Sequence, residues 1–194
     1  MQHRSFFLLV ALSLAFVTKS FSQRGNYQIT NGVSITGAVT KTDIITDNFI
    51  TEQATGFLGG MTATVDIPHR WYNISFGMQL SENHLKIEGR PTSLATNNTF
   101  IEYKLFTAQV ALLGHIKLID NNVTIDVGPM LQYNGKLEIN DKKQESYYIN
   151  NYSNLLASDI SNISQFNING AIGASAGLDF IKLKVQYIYG FTNI

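Results

Sequence analysis

The feature that most constrains the fold of this chain is an apolar period of two residues, which recurs from Tyr27 to the end of the sequence. Between Val123 and Gly135, apolar residues alternate with polar or small ones. Successive side chains of a strand point to opposite faces, so this pattern predicts strands with one apolar and one polar face. The alternation predicts seven strands, near residues 27–40, 55–67, 72–88, 99–118, 123–135, 166–178 and 181–191.

Two of these strands change phase. The third moves from the phase of Leu80 to that of Leu85 and Ile87, and the fourth moves from that of Leu105 to that of Phe106. If the apolar residues all share one face, each change requires an extra residue. We therefore expect one β-bulge within 82–84 and a second at residues 105–106.

The connections alternate in length. Residues 66–71, 119–122 and 179–181 form short turns, whereas 41–54, 89–98 and 140–164 are long and polar. Short turns at one rim and long loops at the other are typical of outer-membrane barrels. Charged residues make up only 14% of the chain, against about 25% in soluble domains. The fold class predicted is all-β: an antiparallel up-and-down transmembrane β-barrel.

The N-terminal residues have the pattern of a secretory signal peptide. Arg4 precedes an apolar run over residues 6–17, and Ser20 and Ser22 occupy the two positions that a signal peptidase inspects. We expect cleavage before Gln23, which divides the chain into a signal peptide (1–22) and a barrel domain (23–194). The alternative is an N-terminal anchor, for which the run is short, since a spanning helix needs about 20 residues.

Aromatic residues cluster near the predicted strand ends. Tyr and Phe at the two membrane interfaces form girdles around such barrels, although aromatic residues favour any strand. The predicted girdle on the lipid face consists of Tyr27, Phe57, Tyr72, Tyr103, Tyr133, Phe166, Tyr189 and Phe191.

Three stretches resemble the PorT-like family of small outer-membrane β-barrels of Gram-negative bacteria. They are residues 102–105, which run into the fourth strand, the Gly-Pro strand over 126–133, and the Tyr-x-Tyr-Gly-Phe-Thr-Asn-Ile segment over 187–194. The fourth strand departs from the family, because Phe106 stands where a proline often follows the leucine.

The resemblance implies an eight-stranded barrel. In the family, a last loop and an eighth strand follow the Thr-Asn-Ile segment, whereas this sequence stops at Ile194. The expectation is therefore an eight-stranded type whose last strand is missing, with the barrel domain incomplete at its C-terminus. A seven-stranded or strand-sharing assembly is the alternative.

Polar residues on the predicted lumen side gather around two of the short turns. If the turn after the fourth strand centres on residues 120–121, His115 faces Asp126; if it shifts by one residue, Lys117 takes that place. Asp66 also faces the lumen, and Asp179 lies beside two lysines across the next turn. The predicted cluster is His115, Lys117, Asp126, Asp179, Lys182 and Lys184. It serves either as a structural ion-pair lining or as a selectivity or proton site.

Other function classes lack support in the sequence. A formal net charge of +0 gives no electrostatic footprint for nucleic acid. The histidines show no metal-ligand spacing, and no nucleophile elbow or phosphate loop occurs, so no catalysis and no cofactor are expected.

The predicted function is a structural, surface-binding or export-accessory role in the cell outer membrane. The predicted partners are outer-membrane lipid, the barrel-assembly machinery during insertion, and a surface or export-machinery component. A narrow porin or passive transporter is one alternative, and a soluble secreted lipocalin-like barrel is another.

Overall fold

The computed structural model describes residues 30–160, 163–178 and 180–192. Within them the chain is all-β, and its long strands form one antiparallel sheet curved into an open half-barrel. The strands are β1 (Thr30–Thr42), β2 (Thr51–Asp66), β3 (Tyr72–Arg90), β4 (Thr99–Ile119), β5 (Val123–Ile139), β6 (Tyr148–Ile149), β7 (Phe166–Leu178) and β8 (Ile181–Gly190). The predicted signal peptide and Tyr27 lie outside the described residues.

The seven long strands are neighbours in chain order, which confirms the predicted antiparallel up-and-down organisation. The order across the sheet is β1-β2-β3-β4-β5-β7-β8, and the two-residue β6 pairs with the far end of β3. Each of β1 and β8 has one strand partner within the described ranges. The sheet is therefore open along these two edges.

Short turns and long connections lie at opposite ends of the sheet, as predicted. Residues 67–71 and 120–122 make tight turns, in which His69 and Asp120 have positive φ. At the other end, residues 140–165 contain β6 and two single-turn 3-10 helices, η1 (Lys142–Gln144) and η2 (Ala157–Asp159). The two ends of the sheet therefore differ, and we call them the short-turn end and the loop end.

The bulge predicted within 82–84 is wrong. β3 and β4 pair without a register shift over their length, with Glu82 opposite Phe106. The pairing of β4 with β5 does shift between Leu105 and Thr107, but the extra residue lies in β5, so β4 keeps its alternation. A further irregularity in β2 lies between Gln53 and Phe57.

What changes along β3 and β4 is the environment of each face. Towards the short turns, the outer face is apolar and the inner face polar. Towards the loops, the inner face becomes apolar and the outer face charged. Five residues at this end point inward, contrary to the prediction, and are at most 3% exposed: Leu85, Ile87, Ile101, Tyr103 and Leu105.

These inward residues form the core of a cap, which we define as the loop-end cluster of Leu85, Ile87, Ile101, Tyr103, Leu105, Leu137, Ile149 and Ala157. The described residues of connection 140–165 fold over the end of the sheet, and the Tyr103 hydroxyl donates to the carbonyl of Ala157 at 3.1 Å. Tyr103 is therefore a cap residue and not a member of the outer girdle. Burial raises the pKa of its phenol above the ordinary value.

At the loop end, the outer face of β3 and β4, behind the cap, carries a row of ion pairs. Lys104 lies 2.7 Å from Glu82, and His84 bridges Glu82 and Glu102 at 3.2 and 2.7 Å. The hydrogen bonds from Lys104 and His84 lower the pKa of the exposed Glu82. Charged pairs across neighbouring strands are compatible with a surface in water.

Candidate functional site

A polar cluster occupies the inner face at the short-turn end. It is built by inward positions of six strands and by one turn, and the register places Asn73, His115 and Asp126 side by side on β3, β4 and β5. We define the cluster as Asp66, Asn73, Ser75, His115, Lys117, Asn121, Thr124, Asp126, Ser175 and Lys184. Asp126 and Ser75 are each 1% exposed.

His115 links two partners through its two ring nitrogens. Nδ1 lies 2.7 Å from Asp126 Oδ1, and Nε2 lies 2.6 Å from Ser75 Oγ. An ionised carboxylate only accepts, so in a neutral imidazole with these partners Nδ1 is the donor and Nε2 accepts from the serine hydroxyl. Thr124 also donates to Asp126 Oδ1 at 2.7 Å, and Lys184 Nζ lies 3.4 Å from Oδ2.

A second ion pair lies closer to the turns. Lys117 donates to Asp66 at 2.7 Å, and Asn121 donates to the other carboxylate oxygen at 2.7 Å. Asn73 in turn donates to Asn121 at 3.0 Å. These three hydrogen bonds connect β2, β3, β4 and the turn after β4.

The structure brings together most of the predicted cluster. His115, not Lys117, faces Asp126, so the first of the two predicted turn placements holds at that pair. Next to the turn, Ile119 pairs with Val123 because of a local irregularity at residue 118. Lys184 reaches Asp126, whereas Lys182 donates to the backbone of the turn, at Asn121. Asp179 lies outside the described residues.

Sequence reasoning missed several members of the cluster. Ser75, Asn73, Thr124 and Ser175 were not singled out, although each lies at an inward position of an alternating strand. The alternation signals the face, but the long connection between β3 and β4 leaves their register open. Ser75 was therefore not recognisable as a partner of His115.

Hydrogen-bonded amides fill the middle of the inner face. Gln109 donates to Gln132 at 2.7 Å, Gln132 to Asn134 at 2.6 Å, and Asn134 to Asn167 at 2.6 Å. Asn169 also donates to Gln132, at 2.8 Å. These residues occupy the space between the polar cluster and the cap.

The outer face between the cap and the short turns carries large exposed hydrophobic residues. On β3, Ile74, Phe76, Met78 and Leu80 are 41–60% exposed. Of the predicted girdle, Phe57, Tyr133, Phe166, Tyr189 and Phe191 are exposed here, and Tyr72 is half-buried against Trp71, with ring centroids 5.1 Å apart. Exposed aromatic residues outside the predicted girdle include Trp71, Phe106, Phe180 and Tyr187.

Two kinds of feature are absent from the described part of the chain. It contains no group of three or more His, Cys, Asp or Glu side chains placed to bind a metal ion. None of its helices has the length and apolar character that crossing a membrane demands.

No protein family, no curated protein and no solved structure matches this chain. Its class therefore rests on its own architecture: an antiparallel half-barrel with an apolar outer band, a hydrogen-bonded polar inner face and an apolar cap.

Proposed function

We propose that this chain is an outer-membrane β-barrel protein with a structural, surface-binding or export-accessory role, delivered by a cleaved signal peptide over residues 1–22. The single observation that carries the proposal is the apolar outer band. A continuous exposed apolar surface of this kind is rare on soluble monomers and marks contact with a membrane or a partner.

The height of the band fits a bilayer. On β5 the outward residues from Val123 to Tyr133 are apolar and span ten residue steps. At about 3.4 Å per step and a strand tilt of about 40°, this corresponds to about 26 Å. The apolar band of outer-membrane barrels is about 25 Å tall.

Both borders of the band support the same proposal. Trp71, Tyr72 and Phe180 lie at the short-turn border, where interfacial aromatic side chains are favoured. At the opposite border, the outward side chains of β3 change from apolar to charged between two successive outward positions, Leu80 and Glu82. A change from apolar to ion-paired side chains is favourable where a strand leaves lipid for water.

The inner face argues against a soluble lipocalin-like barrel. Such a barrel would place its apolar residues inside along its whole height. Here the inner face at the level of the band holds the polar cluster and the amides of Gln109, Gln132 and Asn134. The apolar residues at that level are mostly outside.

The same inner face argues against a porin. The amides bond to each other across β4, β5 and β7, and the cap covers the loop end with fully buried Ile101 and Ile149. A barrel of about eight strands has an interior just wide enough for its own side chains. We therefore favour a role at the membrane surface, where the cap and the long connections would meet a surface or export-machinery partner. Membership of the PorT-like family is part of this proposal.

Cell fractionation tests the proposal. The full-length protein should be recovered with the outer membrane, resist extraction by carbonate and high salt, and dissolve only in detergent. A periplasmic soluble protein and a known outer-membrane protein from the same cells serve as controls. Recovery as a soluble periplasmic monomer would contradict membrane residence.

Conductance in planar bilayers separates the proposed role from the porin alternative. Purified protein should give no stable channel steps, because its inner face is filled. A variant with Gln109 and Gln132 both replaced by Gly would test whether removing the amides opens a path. Regular channel steps from the unmodified protein would favour the porin.

A further inference from the structure

We propose that Ser75 is an activated nucleophile that cleaves esters of apolar acyl groups, with His115 as its general base and Asp126 as the residue that orients the imidazole. This activity goes beyond the proposed membrane role and runs against the expectation of no catalysis. It rests on two short hydrogen bonds that link the three side chains in the order Ser75, His115, Asp126. Ser75 Oγ lies 2.6 Å from His115 Nε2, and His115 Nδ1 lies 2.7 Å from Asp126 Oδ1.

This order is what nucleophilic catalysis by serine requires. A serine hydroxyl is a weak nucleophile until an adjacent base accepts its proton. The base must be held in one tautomer, and a buried carboxylate on the opposite nitrogen does this. The arrangement is recognised by geometry and roles, whatever the fold or chain order.

The surroundings of Asp126 hold the carboxylate in place. Thr124 donates to the same oxygen that His115 uses, and Ser175 bonds to Thr124 at 2.6 Å. Lys184 approaches the other oxygen. A carboxylate fixed from three strands can orient the imidazole without rearrangement during the reaction.

Ser75 differs from the other buried serines of the inner face. Ser81 is on the same strand and the same face, but its hydroxyl pairs with that of Thr107 at 2.6 Å. Ser175 pairs with the hydroxyl of Thr124 at 2.6 Å. Neither of these partners is a base that could take the proton, so Ser81 is an internal control for the reactivity of Ser75.

The neighbours of Ser75 indicate the substrate class. Leu113 is opposite Ser75 in the register of β3 and β4, and it belongs to a buried apolar group with Ala111, Met130 and Ala171. An apolar acyl group would pack against these side chains. The Lys117 ammonium and the Asn73 amide lie on the same face, one to two residue pairs nearer the turns, where they donate to Asp66 and Asn121 respectively.

The reaction balances without a further reactant except water. Ser75 Oγ bonds to the acyl carbon while its proton passes to His115 Nε2, and the ester C–O bond then breaks as that proton moves to the leaving alkoxide. Water, deprotonated by His115, then attacks the acyl carbon, and the bond between that carbon and Ser75 Oγ breaks as the proton passes from His115 to Oγ. The net change is ester plus water to carboxylic acid plus alcohol.

Access to Ser75 requires local motion, because the residue is 1% exposed. The test therefore uses small probes on the full chain in detergent micelles: diisopropyl fluorophosphate for labelling and p-nitrophenyl butyrate for turnover. Mass spectrometry of the digested protein locates the label. We expect it on Ser75 and not on Ser81.

Two variants and the pH dependence of the labelling rate test the proposal. General-base catalysis contributes about 10²- to 10⁴-fold, so His115→Asn should slow labelling at least about 100-fold, whereas Ser81→Ala should leave it unchanged. In the unmodified protein, labelling should be slower at acidic than at neutral pH, because a general base must be unprotonated to accept the serine proton. Labelling of Ser75 no faster than Ser81, or a rate independent of both pH and His115, would overturn the proposal.

Membrane residence is read out separately. Ser75→Ala should abolish labelling and turnover while leaving the fractionation of the protein unchanged. Failure of the esterase test with normal outer-membrane fractionation would thus reject the nucleophile alone.

Discussion

Replacing Val127 with Arg is the sharpest test of the outer band. Val127 is 46% exposed on the outer face of β5. It lies four residue steps above Val123, which corresponds to about 10 Å above the short-turn border and places it close to the middle of the band. An arginine on the lipid face at mid-depth costs about 2–4 kcal/mol. The folding equilibrium constant should therefore fall by a factor of about 30 to 700, at about 1.4 kcal/mol per factor of ten.

The matched control is Glu138→Arg on the same strand and the same face. Glu138 is exposed and lies beyond the band, opposite Lys104. A surface substitution that creates a like-charge pair across strands should cost no more than about 1 kcal/mol. The depth within the band, and not the added charge, then accounts for the difference between the two variants.

Urea unfolding from phospholipid vesicles measures both free energies. Trp71 is the only tryptophan and lies at the short-turn border, so its fluorescence reports release from the bilayer. If Val127→Arg and Glu138→Arg lower the free energy of unfolding by similar amounts, the band does not lie in lipid and the proposed membrane placement is wrong.

Three further predictions address the cap and the sheet. Leu105→Ala should cost about 2–5 kcal/mol because Leu105 is in the core of the cap; a larger loss from Phe106→Ala, on the exposed face, would contradict the assignment of faces. Gly128→Ala should cost about 1–3 kcal/mol because its Cβ would overlap a backbone carbonyl of β4, while Gly59→Ala, with nothing within 4 Å, should be tolerated; equal free energies of unfolding would refute this. The raised pKa of Tyr103 means that its neutral phenol stabilises the fold below about pH 10 and that this stabilisation is lost as the pH rises further; alkaline titration should weaken the unmodified protein more than Tyr103→Phe, and parallel curves would rule this out.

The strands were predictable because alternation is a local property of the sequence. β7 was predicted at its observed bounds, 166–178, and β8 to within one residue of its end. The inversion of faces was not predictable from the pattern alone. Leu105 followed by Phe106 is equally consistent with a bulge and with a strand whose apolar side moves inside as it leaves a membrane.

The site was predictable only across a tight turn. The turn after β4 fixes the pairing of His115 with Asp126 to within one residue, and that pairing was predicted with one alternative. Ser75 is 40 residues from His115, and the long connection between their strands sets no register. The cap was missed for a related reason, since connection 140–165 carries no alternation from which its fold over the sheet could be read.

The directions of the two edge strands determine which segment can pair with both open edges of the sheet. In an antiparallel meander, direction alternates from strand to strand, so the first and the seventh strands, β1 and β8, point the same way. Their backbones could meet each other only in parallel pairing. A second copy of the chain in the same membrane orientation would offer edges of that same direction. The segment that can join both edges by antiparallel hydrogen bonds is thus a strand running from the loop end to the short-turn end. Its outward side chains must be apolar, to match Val33 on one side and Leu183 on the other.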